Sequence, residues 1–214
     1  MSTVLKTCYI NIVGHWNVAI FTPEWLVSKI FDTSQIQLQF SPLPGIWPRF
    51  TGRDVTIMPS PDRLIVEPAS LSDDLLTLSS NMAEKILEML SHTPISAIGF
   101  NFLYEHSNPD AELLRRFQDL DTKLLGEAGF DVERRQTVKQ IRQEHGVLNL
   151  KTILDDQSIL FEFNFHQNIK SNEEALAAIR HNMVQYRDKV AQILTESYCL
   201  VLEGRNENIE SATR

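Results

Sequence analysis

Residues 22–31, TPEWLVSKIF, recur in altered form as residues 108–117, NPDAELLRRF, at an offset of 86. Both segments begin with a residue that can cap a helix, continue with proline and an acidic residue, and end with phenylalanine. This order is typical of a helix start, because the cap accepts from free backbone N–H groups and the acid complements the positive helix end. The recurrence predicts that the chain consists of two similar halves.

Three further matches extend the predicted duplication along the chain. The offset grows from 85 to 101, as insertions into the second half would require. The matches pair Ile10, Val13 and Gly14 with Ile95, Ile98 and Gly99 (offset 85); Thr56, Ile57 and Leu64 with Thr152, Ile153 and Leu160 (offset 96); and Leu75, Leu78, Met82 and Met89 with Leu176, Ile179, Met183 and Val190 (offset 101).

Hydrophobic periodicity and turn residues predict a β-α-β-β-β-α order in each half. The expected strands cover residues 9–21, 35–40, 55–58 and 63–67, then 95–105, 132–143, 147–154 and 158–166. Ser72 and Asn172 are expected to cap the last helix of each half, and the proline-rich residues 41–50 to form a loop.

This order predicts an α+β fold with two layers: one curved, mostly antiparallel sheet of about eight strands with helices on one face. Two separate small α+β subdomains are the alternative. Residues 1–203 are expected to form one pseudo-symmetric domain, with halves at about 7–93 and 94–203, and residues 204–214 a disordered tail. The element order is similar to the saddle of TATA-binding-protein-like folds, a resemblance of architecture that implies no function.

Composition limits the classes of partner. The net charge of −8 argues against nucleic acid and anionic membranes, which attract cationic surfaces. Cys8 and Cys199 form no CxxC pair, and about 18 consecutive apolar residues occur nowhere. We therefore expect a cytoplasmic protein. Common nucleotide, protease and metal motifs are absent, so we expect no cofactor and no bound metal.

Strand alternation predicts a polar face on the side of the sheet away from the helices. Glu162, Asn164 and His166 alternate with an apolar set, and His15 and Asn17 do the same in the first strand. Two imidazoles and a carboxylate could act as acid and base, which favours an enzyme as an alternative function. Against it, a spacing of four residues on a strand separates Glu162 from His166 by about 13 Å.

Aromatic residues indicate a binding surface. Phe100, Phe102 and Tyr104 lie on a strand whose two faces are both partly apolar, so we expect aromatic surface there for a ligand or a partner chain. Trp47, in the proline-rich loop, is either packed on the body or exposed as an anchor for a partner.

Cations cluster on one predicted strand of this acidic chain. Arg134, Arg135 and Arg142 either protect an edge strand from unwanted pairing or bind an anion or a partner.

We therefore expect a binding or assembly protein that is not an enzyme, acts as a homodimer or with another protein, and presents a duplicated sheet surface to a protein or small ligand. Besides the enzyme, the other alternative is a regulatory domain that binds an anionic metabolite at the cationic strand.

Overall fold

The computed structural model describes residues 2–40, 47–117, 120–155, 157–180 and 183–203. The strands are β1 (Thr3–Gly14), β2 (Gln37–Gln39), β3 (Arg49–Gly52), β4 (Val55–Pro59), β5 (Arg63–Pro68), β6 (Ile95–Ser107), β7 (Arg134–Arg142), β8 (Val147–Asp155) and β9 (Ser158–Asn168). The helices are α1 (Pro23–Leu26), α2 (Asp73–Met89), α3 (Ala111–Arg116), α4 (Leu120–Glu127), α5 (Asn172–Arg180) and α6 (Met183–Gln192). Short π-helical turns extend α1 over Val27–Phe31 and α6 over Ile193–Ser197.

All nine strands form one sheet in the order β2-β3-β4-β5-β1-β6-β9-β8-β7, and every neighbouring pair is antiparallel. The α+β class and the single sheet are confirmed, and the alternative of two separate small sheets is wrong. The ninth strand is β3, which lies at the end of the stretch expected to be a loop. Residues 41–46 of that loop and the expected tail at 204–214 lie outside the described residues.

One face of the sheet is covered by helices. α2 packs on β1, β4 and β5, whereas α5 and α6 pack on β6. Alternate strand residues such as Ile10, Ile57, Phe100 and Phe163 are buried in the core beneath these helices. The intervening residues are mostly half-buried and face the other side, which we call the open face. The side chains of β7 are an exception, because nearly all are exposed on both faces.

The first strand ends earlier than its residue pattern predicted. β1 stops at Gly14, where the backbone carbonyl of Asp62 accepts from the Gly14 N–H. The strand expected at residues 9–21 is therefore wrong beyond Gly14, because the Asn17 side chain caps a 3₁₀ turn at Val18–Ile20 instead. Phe40, the last residue of the strand expected at residues 35–40, lies beyond the end of β2 and is 72% exposed.

Two helix caps differ from the expected residues. Thr22 caps α1 and Ser72 caps α2 as expected, but Asp110 rather than Asn108 accepts from the first turn of α3. At α5, Ser171 accepts from the Glu174 N–H, so it is the cap. Short polar side chains compete for the same N–H groups, and the position of the first turn decides which one binds.

Strand residues that were matched as evidence of duplication lie on opposite faces of the sheet. Val13 faces the open side, whereas its proposed counterpart Ile98 lies in the core. Leu64 lies in the core, whereas its counterpart Leu160 pairs on the open face. A strand alignment that exchanges the two faces cannot relate equivalent residues. In the helix match, Met89 is exposed although Val190 is buried.

Candidate functional site

A row of amide side chains crosses the open face of the second half. Gln140 on β7 donates to Asn149 on β8, Asn149 donates to Asn164 on β9, and Asn164 donates to Asn101 on β6, at 3.1, 3.0 and 2.8 Å. Asn101 in turn donates to the backbone carbonyl of Gly99 at 3.2 Å. Every link donates in the same direction. Asn164, a predicted surface residue, therefore holds its hydrogen bonds within the sheet.

Two glycines permit close packing around these central strands. A Cβ on Gly99 would lie 2.8 Å from the Nδ2 atom of Asn164, so a side chain there would displace the amide row. A Cβ on Gly14 would lie 2.5 Å from the Pro94 carbonyl oxygen, beside a bulge between Val13 and Gly14.

The three residues expected to act as acid and base are separately engaged. Glu162 accepts from Lys151 Nζ at 3.0 and 3.1 Å, and His166 Nε2 lies 3.1 Å from Asn168 Oδ1. His15 is exposed beyond the end of β1. Within the described ranges, no hydrogen bond or ion pair links any two of His15, Glu162 and His166. The structure does not bring them together.

Two cavities lie elsewhere on the molecule. One, of about 390 Å³, lies between the β7–β8 turn, the end of β9 and α5, and includes His145, Gln167 and Glu174 in its wall. The other, of about 260 Å³, lies where β5 ends beside β1. Burial raises the pKa of the Cys8 thiol in its wall to about 12, and the Glu67 carboxylate adds to the shift. Cys8 is therefore a protonated thiol and a poor nucleophile at neutral pH.

The expectation of exposed aromatic surface on β6 is wrong. Phe100, Phe102 and Tyr104 are buried beneath the helices, with exposed fractions of 0–3%. Phe100 stacks on Tyr186 of α6, with ring centroids 4.5 Å apart. The alternation of this strand was read correctly, but its aromatic face is the core face and cannot meet a partner.

Trp47 lies near the outer end of the first half, whereas Asn17 lies just beyond the central strand β1. Trp47 is 42% exposed just before β3, so its indole is neither buried in the core nor fully free of the body. Asn17 is exposed and accepts from the Ala19 N–H, which commits its side chain to the local turn.

The cationic residues are confirmed on a strand at the sheet's edge. β7 is the last strand in the order, so its outer side has no strand neighbour within the described residues. Arg134, Lys139 and Arg142 are exposed, and Arg135 donates to the Phe117 carbonyl at 3.2 Å. Arg134 and Arg142 are eight residues apart, or about 27 Å along an extended strand. One small anion cannot contact both.

The residues of α4, of the connection after it and of β7 are largely exposed. None of the described side chains of α4 is buried, and Leu124, Phe130 and Val138 are 53%, 65% and 61% exposed. Leu125 and Ile141 are also exposed. We call residues 120–142 the α4–β7 segment. It holds five of the nine large apolar side chains that are exposed within the described ranges.

Sequence reasoning found the cations of this segment but missed its apolar residues. The residues of α4 have a weaker amphipathic pattern than those of α2 and α5, the helices that pack on the sheet. That weak amphipathic pattern was the available signal.

Comparison with protein families gave no matching family model, and comparisons with curated proteins and with solved structures gave no significant match. Among the described residues, no helix has the length and apolar character needed to cross a bilayer. In the same ranges, no group of three His, Cys, Asp or Glu side chains is placed to hold a metal ion.

Proposed function

We propose that this protein is a binding or assembly protein without catalytic activity, and that it attaches to another polypeptide through the α4–β7 segment. The observation that carries the proposal is the concentration of exposed apolar side chains in that segment. Clusters of exposed apolar side chains are typical of an interface, and five of the nine large ones in the described ranges fall in this one segment. Exposed backbone groups at the outer side of β7 add to its capacity for contact.

Charge favours the same segment. The protein is acidic overall, yet β7 carries four cations and no carboxylate. Electrostatic complementarity orients a partner and raises the rate of association. Because the cations are spread along the strand, they suit an extended acidic polypeptide surface better than a small anionic metabolite.

The open face of the strands other than β7 offers less to a partner. Its charges are paired internally, as in Lys151 with Glu162 and Arg49 with Glu67. Its central amides bind one another in the row described above. A partner that docked there would have to displace or match groups that are already satisfied.

We further propose that the two halves arose by duplication and that the sheet forms a saddle of the TATA-binding-protein type. The strand order supports this idea, since the order from β1 outward (β5, β4, β3) corresponds to the order from β6 outward (β9, β8, β7). In such a saddle, the helices would cover one face of the sheet and the open face would remain uncovered. The residue matches give no support to duplication, because the matched strand residues lie on opposite faces of the sheet.

Site-specific photo-crosslinking tests the docking surface. Val138→p-benzoyl-phenylalanine places a photoreactive group on β7, and Gln37→p-benzoyl-phenylalanine places it on the exposed outer strand β2 as a matched control. In the native host, we expect a discrete protein adduct from position 138 and none from position 37. An adduct from position 37 alone, or no adduct from either, would overturn the proposal.

A further inference from the structure

We infer that the partner of the α4–β7 segment is a second copy of this chain, bound about a twofold axis. This inference rests on the proposed function, which identifies the surface but not its occupant. The argument uses the distribution of charge within the segment itself.

The segment divides into an acidic part and a basic part. Residues 121–133, which comprise most of α4 and the connection to β7, contain four carboxylates and one lysine; the carboxylates are Asp121, Glu127, Asp131 and Glu133. β7 follows directly with four cations and no carboxylate. All four carboxylates are exposed, as are three of the four cations, so both parts are presented to a partner.

A twofold interface suits this arrangement. In such an interface, residue i of one copy contacts residue j of the other, and residue j contacts residue i in return. The acidic part of each copy would therefore contact the basic β7 of the other, and each favourable pairing would occur twice. Exposed apolar residues lie in both parts. Leu124 and Phe130 belong to the acidic part, and on β7 Val138 lies on the open face and Ile141 on the opposite face.

Direct pairing of β7 with its own counterpart is disfavoured. An antiparallel pair centred on Val138 would set Arg134 opposite Arg142 of the second copy at both ends. Like charges placed directly opposite each other destabilise a strand pair. The cations therefore oppose edge-to-edge sheet extension while they favour contact with the acidic part. This distinction makes the charge pattern specific for one mode of self-association.

Charge reversal on the full chain tests the inference. The first variant, Arg134→Glu with Lys139→Glu, reverses the basic part but leaves Arg135 in place. The second, Glu127→Lys with Asp131→Lys, reverses the acidic part at exposed positions. The control, Lys29→Glu with Lys85→Glu, makes the same change in net charge as the first variant at exposed sites in the first half. Circular dichroism and thermal unfolding check that each variant is folded.

Analytical ultracentrifugation over a wide concentration range reports the assembly state. We expect a dimer for the wild type and the control, and a dimer dissociation constant raised at least about tenfold in each reversal variant. An equal mixture of the two reversal variants should restore dimers. In the mixed species the reversed basic part faces the reversed acidic part, and the two unreversed parts face each other, so both contacts between the copies are complementary again.

A monomeric wild type, reversal variants that remain dimeric, or a mixture that stays monomeric would each overturn the inference. The crosslinking experiment separates these failures from failure of the proposed function. An adduct at position 138 with twice the mass of the chain supports the second copy, whereas an adduct of another mass supports the docking surface and overturns self-association.

Discussion

The two outer ends of the sheet are finished differently. In the first half, the helical segment after β1 buries Leu26, Ile30 and Phe31, and Phe31 lies against Gly52 of β3. In the corresponding place of the second half, α3 buries Leu113 alone and α4 buries none of its described side chains. The same order of strands is thus accompanied by a well-buried helical segment at one end of the sheet and by a largely exposed one at the other. The difference teaches that burial of the helical segment beside the outer strands, rather than the order of the strands, distinguishes the two ends of the sheet.

The largest expected effect compares a phenylalanine from each end. Phe31→Ala removes a fully buried ring, so we expect a loss of about 3–5 kcal/mol in the free energy of unfolding. Phe130→Ala, at a site 65% exposed, should change it by less than about 0.5 kcal/mol. Urea unfolding of both variants measures the contrast. Equal losses of unfolding free energy in the two variants would show that Phe130 contributes to packing as much as Phe31 does.

Two glycines sharpen the comparison between the sheet and α4. Gly99→Ala forces the Asn164 amide to move, and we expect a loss of about 1–3 kcal/mol. Gly126→Ala meets no atom within 4 Å and adds a better helix former to α4, so stability should rise by up to about 1 kcal/mol. Thermal unfolding tests both changes. A neutral Gly99→Ala variant would contradict the close packing described for the amide row.

The ends of the two central strands, β1 and β6, differ in their side chains, and this difference predicts a dependence of stability on pH. In the first half, Trp16, Phe21 and Trp25 pack against one another beyond the end of β1. In the second half, a buried His106 near the end of β6 lies 3.0 Å from the Thr3 hydroxyl. Burial lowers the pKa of His106 below its usual value. Below about pH 6.5 the unfolded state then binds a proton that the native state does not, so stability falls with falling pH.

The size of this effect is at most about 1.4 kcal/mol per pH unit for one histidine. Denaturant unfolding between pH 7 and pH 5 measures it. His106→Gln should flatten the pH dependence of the free energy of unfolding. If the His106→Gln variant keeps the wild-type dependence of unfolding free energy on pH, His106 does not cause that dependence.

The smallest expected effect concerns the contact between the halves. Ser80 of α2 donates to the Leu76 carbonyl and accepts from the Met183 N–H at the start of α6, at 3.1 and 3.3 Å. Its neighbour Ser79 is equally buried, yet its hydroxyl has no partner among the described residues. Ser80→Ala should therefore cost about 1 kcal/mol, while Ser79→Ala should be neutral or stabilising. The reverse order in thermal unfolding would contradict this assignment.

Several elements were predictable because local pattern determines them. The strands from β4 to β9 lie within about two residues of their expected bounds, since apolar alternation and turn residues define them locally. β3 was missed because prolines dominate the residues before it. The pairing of Ile10 with Phe100 fixes which strand residues share a face, and no property of either segment alone reveals that pairing.

The candidate site was harder to predict for the same reason. Phe100 and Phe102 were assigned to a surface because a strand's sequence does not show which of its two apolar faces meets the helices. The cations of β7 were found because charge patterns are local. The exposure of Leu124 and Phe130 depends on the absence of packing against the rest of the described chain, and absence of packing leaves little trace in composition.

The amide row has a consequence for the kinetics of folding. Its links join β7, β8, β9 and β6, so the complete row exists only after all four strands have reached their native register. Interactions that form late are absent from the folding transition state. Removing the link of largest sequence separation, between β9 and β6, as in Asn101→Ala, should therefore leave the refolding rate nearly unchanged and accelerate unfolding. The row then governs how long the native sheet persists once formed rather than how quickly it is reached.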